Sequence, residues 1–566
     1  MTKTTDKIIE YGIIFLIIFT PLALGSIHYW AVSMMEFMAL VMITIWTIAR
    51  LISKFSATND LCLSSSQNGR EVGWAMPTKK AGLNGIKKIS NHRILNSPLN
   101  LPIIIFVLLI IIQLIPLPPS VLKAVSPNTH QLYKQTLPGY DTSSKGLEFN
   151  DRNSDIKPNN YSSGFSTSNF KLQTSNYWKP LSLYPYATKL NLLKVLAYAT
   201  IFFLIINTKT LKPQRLLMSI VISGFIVSLV AIIQYVCDTK KIYWIYNASY
   251  ASPVGPFTYR GYFASYMTMV IPLAIGLLIY YLSYKINTVT ELNKDKHTKY
   301  YHRRKSSLIW LTSTVFILIV IIMMSTILFL SLSRGGMVSN VLSLIFFVFF
   351  LTMRKTVRKN IIYLLPIILL MFVALGWVGI NPVTDRLSTL YEIEEERTGL
   401  VRFAIWSDTG NIIKDFPVFG TGFGTFRYIY PKYRDEVLNY LAVYVFPVRA
   451  HNDYLEVASV MGVLGIVVVL WGCYRLFKDI LFCHILGKTR GIAHVMPEAD
   501  SLRRRNDKPK NLMRRNPFVL LMGFGCLASI LAIVFHSFTD FVLHSPANAM
   551  LFFVILGLVC RIIHEK

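Results

Sequence analysis

The chain has 566 residues, 53% of them hydrophobic and only 15% charged. A soluble protein usually carries about 25% charged residues, so this composition excludes an ordinary water-soluble enzyme. The net charge is +29, from 58 basic against 29 acidic residues. Such an excess serves either nucleic-acid binding or the basic cytoplasmic loops of a membrane protein, and the placement of the charges decides between them.

A helix needs about 20 apolar residues to cross the hydrocarbon core, and about a dozen segments qualify. In chain order they are 8–25, 31–51, 100–117, 186–207, 214–236, 261–284, 307–330, 336–353, 360–378, 452–474, 516–536 and 545–563. Lys3 and Lys7 precede the first run, but no small-x-small cleavage site follows it, so it reads as a membrane helix and not a signal. The segment 336–353 is short and follows Gly335-Gly336, which leaves a broken or re-entrant element open for 307–353.

The basic residues lie between these segments in a regular pattern. Lys79, Lys80, Lys87, Lys88 and Arg93 fall in 51–99, and Lys209 and Lys212 in 208–213. Arg303, Arg304 and Lys305 fall in 285–306, and Arg354, Lys355, Arg358 and Lys359 in 354–359. Arg503, Arg504, Arg505, Arg514 and Arg515 fall in 475–515. All five connections follow an even-numbered span, so all lie on one side, and the positive-inside rule places both termini in the cytoplasm. The charges therefore encode topology, and no nucleic-acid partner is expected. The six cysteines form no CxxC pair, which argues against a zinc site or a disulfide framework.

Two non-cytoplasmic loops are long. The first, about 118–185, has a Ser/Asn-rich middle from Tyr140 to Gln173 that is expected to be flexible. The second, 379–451, contains EIEEERTGLVRFAIW, FPVFGTGFGTF and YPKYRDE, and reads as an ordered, helical domain on the outer face. The expected organisation is nine membrane helices over 1–378, the loop 379–451, and three more helices over 452–566.

Unusual polar residues collect on that outer face. Arg260 stands in PVGPFTYRGYFASY, Arg334 in LSLSRGGM, and His451 in VRAHNDYLE. His536, Asp540 and His544 stand in HSFTDFVLH, and Arg402 and Trp406 in the ordered loop. Arginines beside glycines suit a diphosphate, because guanidinium forks match phosphate oxygens and glycine admits the anion; they equally suit snorkelling at the membrane surface. Histidine titrates near neutral pH, which suits a general base, although a lone histidine is more often a surface or packed residue. Asp453 and Glu456 read as a D-x-x-E variant of the capping box. The HSFTDFVLH cluster admits a metal or a proton relay as well as a structural role. GTGFGTF is only loosely a GxGxxG pattern and follows no strand, so its glycines read as turns and not as a nucleotide site.

Several stretches taken together resemble a known family. They are QLIPLPPSVLKAVSP at 113–127, LSLYPYATKLNLLKVLAYA at 181–199 and GPFTYRGYFASYMTMVIPLAIGL at 255–277. SLSRGGM at 331–337, RFAIWSDTGNIIKDFPVFGTGFGTF at 402–426 and AHNDYLEVASVMGVLG at 450–465 continue the series. In order and spacing they resemble the O-antigen ligase and Wzy-type polymerase superfamily of bacterial membrane glycosyltransferases. The resemblance implies an all-α polytopic, GT-C-like fold in the bacterial inner membrane, with the active face periplasmic. It implies transfer of a glycan from undecaprenyl diphosphate to an acceptor hydroxyl, inverting, independent of metal and without a cofactor. Arg260 and Arg334 then correspond to the arginines that engage the donor diphosphate, and His451 to the proposed general base. Arg402, Trp406, Asn452 and Asp540 are candidates for supporting roles.

The acceptor is a glycolipid core for a ligase and a second lipid-linked repeat for a polymerase, and the shared motifs leave that choice open. Relatives that transfer glycans to protein usually carry a soluble region after the last span; with the chain ending at Lys566, a glycolipid or glycan acceptor is expected. Two other classes stand beside the transferase reading. A polysaccharide or lipid transporter is disfavoured by the lack of a two-fold internal repeat, and a non-catalytic envelope scaffold predicts that the outer arginines and His451 are replaceable.

Overall fold

A computed structural model describes residues 2–67, 97–137, 140, 178–239, 241–247, 254–292, 300–353, 355–363, 393–435, 449–480 and 517–564, with a few single positions between 366 and 376. The chain is a multi-pass helical membrane protein. Among the described residues eight helices are long and apolar enough to cross a bilayer. In chain order the principal helices are α1 (Thr2–Leu22), α2 (Tyr29–Gln67), α3 (Asn100–Leu114), α4 (Pro119–Val125) and α5 (Pro127–Thr136). They continue with α6 (Pro185–Asn207), α7 (Pro213–Val236), α8 (Arg260–Leu292), α9 (Tyr300–Leu330) and α10 (Arg334–Thr352). The last four are α11 (Ile393–Asp415), α12 (Asp453–Ile480), α13 (Pro517–His536) and α14 (Pro546–His564). Pro185, Pro213, Pro517 and Pro546 each open a helix, where a missing N–H costs nothing and the fixed φ suits the first turn.

The eight spanning helices are α2, α6, α7, α8, α9, α10, α12 and α13, each over a segment marked by apolar length. The other four segments differ. α3 and α14 are apolar but shorter. The first segment begins earlier than Ile8, because α1 starts at Thr2 and carries the buried carboxylates Asp6 and Glu10. These face Arg50 and Arg215 at 3.5 and 3.6 Å. The segment 360–378 falls mostly outside the described residues, as do the Ser/Asn-rich stretch 141–177 and the basic stretches 68–96 and 481–516. The 307–353 region is a continuous α9, a tight turn with Leu332 at φ 55°, and a full α10, so no re-entrant element is needed there.

α8 is the central helix. Its whole apolar window is buried, and it packs against α9, α10 and above all α13. Gly276 and Gly525 let α8 and α13 approach closely, since a Cβ on either would meet the other's backbone at 3.1–3.2 Å. α6 lies between α14 and α2. Arg561 of α14 closes the end of α6 by donating to the carbonyls of Ile205, Thr208 and Leu211 at 2.6–2.8 Å. Outward-facing Phe37, Leu40, Ile104, Leu193 and Leu470 stay exposed, as a lipid boundary requires.

A broken helix organises the region near the polar residues. α12 is interrupted at Gly462, with φ 65° and ψ −167°. A turn with Gly420 (φ 69°), Gly422 (φ 111°) and Gly424 (φ 83°) folds against that break. Thr421 and Gly422 donate their N–H to Ser459 and Val460, and Val463 donates to Pro417. The GTGFGTF glycines are thus turn formers, as their sequence suggests. Gln113 of α3 completes the joint: its Nε2 donates to the carbonyls of Phe419 and Val460 at 2.6 and 2.9 Å, and its Oε1 accepts from Phe423 N. Irregular backbone inside a membrane protein persists only when its polar groups are satisfied in this way. Gln113→Leu strands three buried groups at about 1–3 kcal/mol each. It is expected to lower the aggregation temperature of the detergent-purified protein by many degrees, whereas Leu109→Met beside it changes little.

Beyond α3, Pro116–Leu117 (β1) pairs antiparallel with Lys179–Pro180 (β2). A second short pair joins Lys241–Ile242 (β3) to Tyr246–Asn247 (β4). Cys237, Cys473, Cys526 and Cys560 are free thiols.

Candidate functional site

The site is built where α8, α10 and α12 begin and α13 ends. Arg260 is the first residue of α8 and Arg334 the first of α10. Ser333 caps α10, its Oγ accepting from Gly336 N at 3.4 Å. The two helix starts touch, since a Cβ on Gly336 would meet that of Ala264 at 2.5 Å. Both arginines therefore stand at adjoining helix N-termini, where orphan N–H groups and the helix dipoles already favour an anion.

Both starts also pack against the turn that follows α13. A Cβ on Gly335 would lie 2.6 Å from Thr539 Oγ1 and 3.0 Å from His536 Nε2. A Cβ on Gly261 would collide with Asp540 Oδ2 and lie 2.5 Å from the Tyr259 ring. In each Arg-Gly motif the arginine opens a helix, and the glycine makes room for the 536–540 turn.

Asp540 is the hub of that turn and is buried. Its Oδ2 accepts from Tyr259 OH at 2.8 Å and its Oδ1 from Phe541 N at 2.9 Å. His451 Nδ1 stands 3.6 Å from Oδ1, just beyond hydrogen-bond length. The His451 ring meets Phe541 edge-on at 4.8 Å, and Tyr259 stacks on Phe541 at 5.2 Å. Burial alone would raise the Asp540 pKa; His451, His536 and Arg402 outweigh it and hold the carboxyl below its ordinary value. The charged form is thus favoured in the folded protein. Its stabilisation is full above the ordinary carboxylate range and is lost as pH falls through the depressed folded value. The thermal midpoint is therefore expected to drop below about pH 4, and Asp540→Asn is expected to flatten that slope.

His451 has φ 51°, the left-handed region that few residues other than glycine adopt. Its neighbours fix it there. Asn452 Oδ1 accepts from Tyr454 N and Leu455 N, both at 3.0 Å, which makes Asn452 the N-cap of α12. The cap is therefore one residue earlier than the D-x-x-E pattern suggests, because Asp453 and Glu456 turn back toward the neighbouring loops. Asp453 accepts from Ser537 Oγ at 2.8 Å and Leu543 N at 3.3 Å. Glu456 accepts from Arg449 Nη1 at 2.9 Å and Ala450 N at 3.1 Å, and meets His544 Nε2 at 3.0 Å. Trp406 of α11 donates its Nε1 to Ala450 O at 3.0 Å, one residue before His451. Arg402, one turn earlier on α11, acts on Asp540 and His536 through its charge.

The residues singled out in the sequence thus gather at one end of the bundle. His451 and Arg402 act on Asp540, the helix starts that carry Arg260 and Arg334 pack against the 536–540 turn, and Trp406 and Asn452 hold the His451 segment. Among the described residues no group of three or more His, Cys, Asp or Glu side chains is arranged to hold a metal ion. Sequence reasoning missed Tyr259, Arg449 and Phe541, which have no motif signal beyond lying next to residues that do.

Beneath the partly exposed His451, His544 and Arg449 lie three buried carboxylates, Asp453, Glu456 and Asp540. The arrangement can bind anions near the adjoining helix starts and can take a proton at His451, with Asp540 positioned to balance the imidazolium.

No curated protein matches the chain. Residues 318–470 match the family described as O-antigen ligase. That segment includes Arg334, Arg402, Trp406, His451 and Asn452; Arg260 precedes it and Asp540 follows it. Over this segment the chain is similar to the O-antigen ligase family.

Proposed function

We propose that the protein is a membrane glycosyltransferase that moves a glycan from undecaprenyl diphosphate to an acceptor hydroxyl, on the periplasmic face of the bacterial inner membrane. The observation that carries this reading is the gathering of both Arg-Gly helix starts and His451 around the turn that holds the buried carboxylate Asp540. Arg260 and Arg334 hold the donor diphosphate. As the glycosyl bond breaks, negative charge grows on a leaving group that is already anionic, so charge stabilisation matters more than protonation. His451 removes the acceptor proton as the hydroxyl attacks the anomeric carbon from the opposite face, which inverts the centre. Asp540 holds the imidazole and offsets the charge it gains. Arg402 adds positive potential, and Trp406 and Asn452 keep the His451 turn in place. The lipid-exposed helices around the site suit a donor that arrives laterally from the bilayer.

The test is transfer from a purified polyprenyl-diphosphate-linked glycan in proteoliposomes. Arg260→Ala and Arg334→Ala are each expected to reduce transfer by about 10²–10³-fold, with the donor dependence weakened more than the acceptor dependence. A loss confined to the acceptor side would reject the diphosphate clamp. Substrate movement across the bilayer without covalent transfer would replace the enzyme with a transporter. A polymerase uses the same site chemistry on a different acceptor. Mass analysis of cells lacking the protein separates the two: full-length chains stranded on the carrier mark a ligase, and single repeats mark a polymerase.

A further inference from the structure

The hairpin between α7 and α8 has no part in the transfer chemistry, and its tip carries residues that a turn does not favour. β3 (Lys241–Ile242) pairs with β4 (Tyr246–Asn247), and between them Tyr243 and Trp244 turn the chain at φ 51° and 59°. Asn-Gly makes a left-handed hairpin turn without strain, whereas bulky side chains make it at a cost. Two aromatic residues in these places therefore need a reason beyond the turn.

Tyr243 has one. Its OH donates at 2.6 Å to the carbonyl of Leu22, the last residue of α1. Ile242 beside it is buried, and the Tyr246 ring stands 6.1 Å from that of His28, just before α2. α1 packs against both α7 and α2. The hairpin thus leaves α7, crosses the end of α1 and reaches α2. Trp244 and Ile245 at its tip are instead 49% and 73% exposed.

The neighbouring helices show what covers them. Leu229, Ile233 and Val236 recur along one face of α7 and are exposed up to its last residue. Trp30, Met34 and Phe37 form a matching exposed stripe at the start of α2. Both helices are long and apolar enough to span a bilayer, so these stripes face lipid. The hairpin begins five residues after Val236 and joins one stripe to the other. A tryptophan beside an aliphatic residue suits the boundary of headgroups and acyl chains.

We propose that the 241–247 hairpin is a wedge seated in the lipid leaflet at the site end of the bundle, with Trp244 and Ile245 at the boundary of headgroups and acyl chains. That layer is wet enough to satisfy the outer backbone groups of the hairpin and apolar enough to cover its tip. The wedge is tied to the functional site through the α1–α2 corner. A Cβ on Gly25 would lie 2.9 Å from the ring of Phe257, three residues before Arg260 opens α8. None of this rests on the transferase reading.

The experiment compares tryptophan emission of the full chain in phosphatidylcholine nanodiscs with ordinary and with brominated acyl chains. Subtracting the emission of Trp244→Phe isolates Trp244 among the nine tryptophans. Brominated chains are expected to lower this difference emission by about twofold or more, and iodide in the water to lower it little. Iodide quenching without bromine quenching puts the tip in water and overturns the wedge. Protection from both quenchers puts the tip against protein, a second copy included, and overturns it as well. A second variant moves the probe: Trp244→Phe with Ile245→Trp is expected to restore the bromine quenching. Iodide-only quenching at position 245 likewise overturns the proposal.

Discussion

Alanine in place of His451 is expected to slow glycan transfer by about 10²–10⁴-fold, the usual contribution of a positioned general base. The acceptor hydroxyl of the proposed reaction is a weak nucleophile, and the proposal assigns its proton to His451. Its neighbours make the prediction specific. One face of the environment is apolar, with Phe541 edge-on at 4.8 Å. The Nδ1 side faces the buried carboxylate of Asp540 at 3.6 Å, so the proposal gives the acceptor proton to Nε2. Asp540→Asn should retain the Tyr259 contact but remove the compensating charge, giving a smaller loss and an altered pH–rate profile. Donor binding should survive both changes, because the diphosphate is assigned to Arg260 and Arg334. Unchanged turnover of well-folded His451→Ala would remove the base assignment.

The largest stability effect is expected at Glu456, a residue with no assigned role in the chemistry. Its carboxylate is fully enclosed and is shared by Arg449, Ala450 N and His544. Glu456→Ala leaves a guanidinium without its carboxylate in a low-dielectric surrounding, at a cost of about 3–5 kcal/mol. The Ala450 amide loses its acceptor as well. Because Ala450 immediately precedes His451, the damage should reach activity through misplacement of the histidine. Glu456→Gln keeps the shape and an acceptor oxygen, so its cost should be clearly smaller. Scanning fluorimetry in detergent orders the variants, and equal midpoints for Ala and Gln would show that the ion pair contributes little.

What the sequence reveals about this protein depends on the range of the interaction. Apolar length is local, and it marks the eight spanning helices. The Arg-Gly and Ser-Arg-Gly motifs are also local: a glycine right after the first residue of a helix already states that a close neighbour meets it there. The neighbour is not local. Gly261 and Gly335 face Asp540, His536 and Thr539, about 280 and 200 residues away along the chain. Gln113 is more hidden still, a single polar residue in an Ile- and Leu-rich helix whose purpose appears only beside the break at Gly462. The D-x-x-E pattern misled in an instructive way. Its residues do sit in the first turn of α12, but the cap belongs to Asn452, and the two carboxylates serve partners from other segments. A local motif cannot show that a side chain has been claimed by a distant one.

The left-handed backbone of His451 also bears on how a substrate complex could be captured. A side chain at φ 51° is tolerated best when it is glycine, asparagine, aspartate or histidine. Alanine deletes the base but also relaxes the turn toward ordinary geometry. Asparagine deletes the base, accepts the same backbone and is nearly as polar. His451→Asn is therefore the variant of choice for freezing donor and acceptor together on the protein for imaging.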